Sequence, residues 1–110
     1  MKGRVFLSPA ADRDIDGHLS FIAKDNPEAA MRFLDIVADA CVKIAQTPGM
    51  GALRKFGNPR LEGIRMFPLP GFEKHLVFYL ATSRKIEIVR VLHAARDIAG
   101  IFHADSPDMR

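Results

Sequence analysis

Gly71 to Ile98 reads GFEKHLVFYLATSRKIEIVRVLHAARDI, and its two β-rich runs decide the architecture. His75–Ala81 and Ile86–Leu92 are dense in β-branched and aromatic residues, and Thr82-Ser83-Arg84-Lys85 between them is a short polar connector. The pattern predicts an antiparallel hairpin. Strict alternation in the second strand puts Ile86, Ile88, Arg90 and Leu92 on one face and Val89 and Val91 on the other. A strand that is apolar on both faces needs cover on both. The protein's own helices can meet one face, and a partner is expected over the other.

Upstream, Arg4–Leu7 is a short strand candidate. Ser8-Pro9 then starts a helix, with a side-chain oxygen to cap free N–H groups and a proline where no N–H is needed. Asp12 and Asp14 sit in the first turns, where the helix dipole favours carboxylates. Ala11, Ile15, Leu19 and Ile22 form an apolar stripe. Asn26-Pro27-Glu28 repeats the start signal for a second helix. Its stripe comprises Ala30, Phe33, Leu34, Val37, Cys41, Ile44 and Ala45, broadened by Ala29, Ile36 and Ala40. The short connector implies an antiparallel helical hairpin.

Thr47-Pro48-Gly49-Met50-Gly51 ends this helix, and the segment to Pro59 reads as an irregular loop rich in Gly and Lys/Arg. Leu61–Phe67 is a further strand candidate, closed by Pro68-Leu69-Pro70-Gly71. Arg96–Phe102 suits a short last helix and His103–Arg110 a frayed tail. The order β-α-α-β-β-β predicts an α+β fold, a helical hairpin packed on one face of a mainly antiparallel twisted sheet.

Composition bounds the function. A chain of 110 residues, 48% hydrophobic and 26% charged, is expected to form a single globular domain over 1–110. No apolar run approaches the roughly 20 residues of a membrane span. The start, Met1-Lys2-Gly3-Arg4-Val5, lacks signal-peptide features, so the expected compartment is the cytoplasm. One cysteine, Cys41, rules out an internal disulfide and a multi-cysteine metal site. The charge of +3 is spread along the chain among acidic residues. It predicts a solvated surface without sequence-specific nucleic-acid binding, and it suits an acidic protein partner equally well.

In element order and local sequence the chain resembles the ParE/RelE superfamily of bacterial toxins. The resemblance rests on Ser8-Pro9-Ala10-Ala11 at the helix start, Pro48-Gly49-Met50-Gly51, Gly63-Ile64-Arg65, and His75-Leu76-Val77-Phe78-Tyr79. Most specific is Ile88-Val89-Arg90-Val91-Leu92-His93-Ala94-Ala95-Arg96-Asp97. It implies the toxin half of a type II toxin–antitoxin module with a ParD-like antitoxin as partner. ParE members are described as inhibitors of DNA gyrase, and RelE members as ribosome-dependent mRNA endonucleases.

RNA cleavage needs a base, an acid and cations around the phosphorane. The only tyrosine, Tyr79, lies mid-hairpin, and Ala94, Ala95, Ala99 and Gly100 come after the last strand. Arg65, Arg90 and Arg96 suit phosphate binding but not proton abstraction, which leaves His93 as the acid–base option. A ParE-like, non-enzymatic binder is therefore the leading reading and a RelE-like nuclease the alternative. No cofactor or metal is expected: Glu73 and His75 share a strand face but lack a third ligand. The antitoxin is expected on Ile86, Ile88, Arg90 and Leu92. Arg65, Arg90, His93, Arg96, Ile98, Ile101 and Phe102 are the candidates for contact with the target, while Ile98, Ile101 and Phe102 suit docking on the sheet as well.

Overall fold

Ser8 joins strand β1 (Arg4–Leu7) to helix α1 (Pro9–Asp25) in a computed structural model that describes residues 4–104. Its Oγ accepts from the Ala11 N–H at 2.9 Å and donates to the Val89 carbonyl at 2.7 Å. One hydroxyl thus caps the helix and ties it to the sheet. Asn26 does comparable double duty. Its N–H bonds back to the Ile22 carbonyl, and its side chain accepts from Ala29 N–H to open α2 (Pro27–Gln46). A single residue between the helices forces them back along one another.

Beyond α2 come β2 (Ala52–Leu53), a 3-10 turn (Pro59–Leu61), β3 (Arg65–Leu69), β4 (Phe72–Ala81), β5 (Lys85–His93) and α3 (Ile98–Ile101). The sheet order is β1-β5-β4-β3-β2, parallel between β1 and β5 and antiparallel elsewhere. The α+β fold with its helical hairpin is as the sequence predicts. Two details differ. The loop up to Pro59 contains β2, whose two residues pair with Met66 and Arg65 but are too few to show periodicity. The strand expected at Leu61–Phe67 runs instead from Arg65 to Leu69, because Asn58 caps the 3-10 turn that holds Leu61. Gly71, at φ +80°, makes the tight turn into β4 that a side chain would strain.

The helix-side core packs Ile15, Phe33, Val37 and Ile44 against Val77, Tyr79, Ile86, Ile88 and Val91. On the other face Leu61, Ile64, Ile101 and Phe102 cover Leu76, Phe78, Val89 and Leu92. Both faces are therefore closed by the chain itself. Strict alternation also fails, because Phe78 opposes Arg90 while Tyr79 opposes Ile88, leaving Val89 as an extra residue. This β-bulge shifts the phase of the second half of the strand: Val91 joins Ile86 and Ile88 on the helix side, and Leu92 joins Val89 opposite. Ile86, Ile88, Arg90 and Leu92 are all buried within the monomer. That burial removes the exposed-strand argument for placing an antitoxin on them.

β1 stops pairing at Leu7–Ile88, and α1 takes over the outer edge of β5. Ser8 N–H donates to Ile88 O at 3.0 Å, Asp14 Oδ2 accepts from Val91 N–H at 3.0 Å, and His18 Nε2 donates to Val91 O at 2.8 Å. Asp14 also receives Arg90 through Nε at 2.7 Å and Nη2 at 2.9 Å, a two-pronged pair shielded from water. Arg90 is thus held inside the monomer by Asp14 rather than presented on an open strand face. Asp14→Ala, which strands the guanidinium, is expected to cost about 3–5 kcal/mol in urea unfolding. Adding Arg90→Met should restore part of that loss, and a double-mutant cycle with no coupling would contradict the pairing.

Candidate functional site

The turn after α2 is fastened to the middle of the sheet. Tyr79, fully buried on β4, donates its hydroxyl to Pro48 O at 2.8 Å and accepts from Gly51 N–H at 2.9 Å. Arg65, its register partner on β3, donates Nη1 to Gly51 O at 2.7 Å and Gly49 O at 3.2 Å. A Cβ on Gly51 would lie 2.7 Å from the Tyr79 hydroxyl, so glycine is required there. Burial raises the phenol's pKa, which keeps it a neutral hydrogen-bonding group. Tyr79 and Arg65 therefore act together on the Pro48–Gly51 turn.

At the open end of the hairpin three imidazoles meet. His75 faces His93 in register, with ring centroids 5.1 Å apart, and His18 of α1 approaches His75 to 4.8 Å. Phe33 and Phe72 meet His75 edge-on. The His75 pKa is lowered to about 4, first by burial and then by His18 and His93, against a smaller opposing pull from the Phe72 backbone. Its Nδ1 is buried without a partner. His93 Nδ1 accepts from Ala95 N–H at 3.0 Å and so fixes the strand exit. Glu73 is turned away, accepting from Gly71 N–H at 2.6 Å. Among the described residues no group of three His, Cys, Asp or Glu side chains has the geometry to hold a metal ion. Sequence reasoning missed this cluster, although hairpin register pairs its two strand histidines; His18 is added only by the docking of α1.

The remaining candidates do not converge. Asp97 caps α3 by accepting from Gly100 N–H, and Arg96 is exposed beside it. Ile101 and Phe102 are buried, and the Phe102 ring lies 4.8 Å from Phe78 and 4.9 Å from Phe56. Asn58 Nδ2 donates to Phe102 O at 3.0 Å. His103 N–H still bonds to Gly100 O, while 105–110, within the expected frayed tail, lie outside the described residues. Cys41 packs partly buried against the helix-side core, which raises its thiol pKa. Among the described residues, half of the large apolar side chains left in water lie on the helices: Phe21 is 72% exposed, Met31 64%, Val42 55% and Leu34 43%. Leu34, which the periodicity placed in the stripe facing the core, belongs to this outer set.

This layout has known counterparts. Residues 5–98 match the model of a family described as the ParE toxin of the type II toxin–antitoxin system parDE. The chain belongs to the ParE toxin family. A solved structure titled "Chromosomal ParDE TA system from P. aeruginosa" shares its fold, with a TM-score of 0.67 at 18% identity over 84% of this chain and 96% of that one. No curated protein matches it in sequence.

For this ParE-family chain, folded His75 binds its proton more weakly than the unfolded ring, whose pKa is about 6.5. Its contribution to stability is therefore complete above about pH 6.5 and lost as pH falls toward about 4. Urea unfolding at about pH 7 and about pH 5, above most carboxylate titration, should show this loss, and His75→Leu should flatten it. Truncation after Asp97 removes Ile101 and Phe102 from the second core. Losing Phe102 alone is worth about 3–5 kcal/mol, so the shortened chain should lose its cooperative unfolding transition by circular dichroism.

Proposed function

We propose that this ParE-family toxin arrests growth by binding a large cytoplasmic target, with DNA gyrase the leading candidate, and that a ParD-like antitoxin holds it inactive. The observation that supports binding over RNA cleavage is the engagement of all the acid–base and cationic candidates except the exposed Arg96 in internal bonds. Tyr79 and Arg65 hold the Pro48–Gly51 turn, Arg90 is bonded to Asp14, and His93 accepts from Ala95. Tyr79 and Arg90 would have to leave their partners before serving a phosphodiester, and His93 has one ring nitrogen committed to the strand exit.

An antitoxin that reaches Ile86, Ile88 or Leu92 must open a closed core. The outer stripe of α2, with Met31, Leu34 and Val42, is available without any such opening, and it suits an amphipathic antitoxin segment. Each large side chain covered there contributes about 1.5–3 kcal/mol. Val42→Asp should therefore weaken the antitoxin complex by at least about tenfold while leaving the toxin folded.

The decisive test adds the purified chain to gyrase with supercoiled DNA, and separately to ribosomes carrying mRNA. Inhibited supercoiling with intact mRNA is expected. Reproducible codon-site cuts, abolished by His93→Ala in a folded variant, would establish the RelE-like endonuclease instead.

A further inference from the structure

The loop that closes the second face carries an open cavity of about 630 Å3 between β2 and the 3-10 turn. Leu53, Phe56, Pro59 and Leu61 supply apolar walls, and Arg54 and Lys55 stand against one carboxylate, Glu62. Arg54 is half-buried, whereas Lys55 is exposed, and Arg60, exposed between Pro59 and Leu61 just outside the lining, adds a third cation. Among the described residues no side-chain hydrogen bond or ion pair engages Lys55 or Arg60.

The walls are preformed. Asn58 Nδ2 holds Phe102 O, Leu61 N–H donates to Asn58 O at 2.9 Å, and Arg54 N–H donates to Ile64 O at 2.9 Å. Leu53 is 60% exposed on β2, the strand at the end of the sheet. The outer edge of β2 therefore lies open beside an apolar hollow flanked by cations. An extended chain can pair with such an edge and send alternate side chains to opposite sides.

We propose that this groove docks an extended acidic segment of a partner protein, with an apolar side chain in the hollow and flanking carboxylates on Lys55 and Arg60. Charge selects the occupant: three cations against one carboxylate attract an acidic strand and repel a basic one. A single-stranded nucleic acid held by base stacking would need an open aromatic face. Phe56 offers none, since the Arg54 guanidinium lies 5.1 Å over its ring and Phe102 packs 4.9 Å away. The site is independent of the gyrase reading, because its occupancy is read on the purified chain without any toxicity assay.

The test is an NMR titration of the isotope-labelled full chain with an end-blocked peptide alternating Glu and Leu. Saturable shifts confined to residues 52–64, weakening as salt is raised, are expected. Lys55→Glu combined with Arg60→Glu should raise Kd by at least about tenfold, with the remaining spectrum unchanged. Leu53→Asp should weaken binding through the hollow and serves as the second variant if the charge reversals perturb the fold. No saturable binding, shifts centred elsewhere, equal binding of the matching Lys and Leu peptide, or tighter binding of a uridine-rich RNA at these residues would each overturn the proposal.

Discussion

The structure depends on how the outer edge of β5 is satisfied. A strand in the middle of a sheet bonds along both sides, yet β1 supports only the first half of β5, ending at Ile88. From there the acceptors and donors come from one helix: Ser8, Asp14 and His18 serve Ile88, Val89 and Val91 in succession. A helix that replaces a strand partner must bring polar side chains into a buried seam, and those groups must all be matched. Asp14 meets that demand by accepting from a backbone N–H and from both prongs of Arg90. The same contacts hold α1 against the sheet, and Asn26 in turn sets the placement of α2.

The bulge at Val89 belongs to this arrangement. With it, Val91 stays in the helix-side core, Val89 and Leu92 enter the opposite one, and Arg90, across from Phe78, bonds to Asp14 on α1. Without the phase shift, Arg90 and Leu92 would share a face with Ile86 and Ile88. The sequence shows an apolar strand interrupted by an arginine. It does not show that the interruption coincides with an extra residue, because a bulge is defined by the partner strand as much as by its own.

Legibility in the sequence depended on how local each signal is. Ser8-Pro9 and Asn26-Pro27 mark helix starts because capping is settled within four residues, and the stripes of α1 and α2 record which side meets the sheet. The hairpin was readable from β propensity and its connector. Cover of the second face was not, since Phe56, Leu61 and Ile64 sit in an irregular segment, Phe102 lies far from them in the chain, and the four share no period. An apolar strand announces that it needs burial but not whether the cover is internal. The same limit applies to the candidate residues: Arg65 and Arg90 look exposed and distinctive in sequence, yet both are engaged in long-range contacts, and Phe102 takes the docked position that the sequence also allowed. The family resemblance reached further than periodicity could, because order and spacing over most of the chain reflect the whole fold.

Closing both faces internally changes where function can reside. Groups that hold the fold cannot be lent to a partner without loosening it: Arg90 would leave Asp14 uncompensated, and Phe102 would uncover Phe78 and release Asn58. Surfaces free to evolve toward a partner are then those whose side chains support no neighbour. Here they fall on opposite sides of the sheet, with Met31, Leu34 and Val42 on the helical side and Leu53, Lys55 and Arg60 on the loop side. One is apolar on a helix and the other basic beside a strand edge, so the two differ in the chemistry they select. A partner bound on the helical stripe need not cover the loop groove, and the two occupancies are separable by mutations that leave both cores intact.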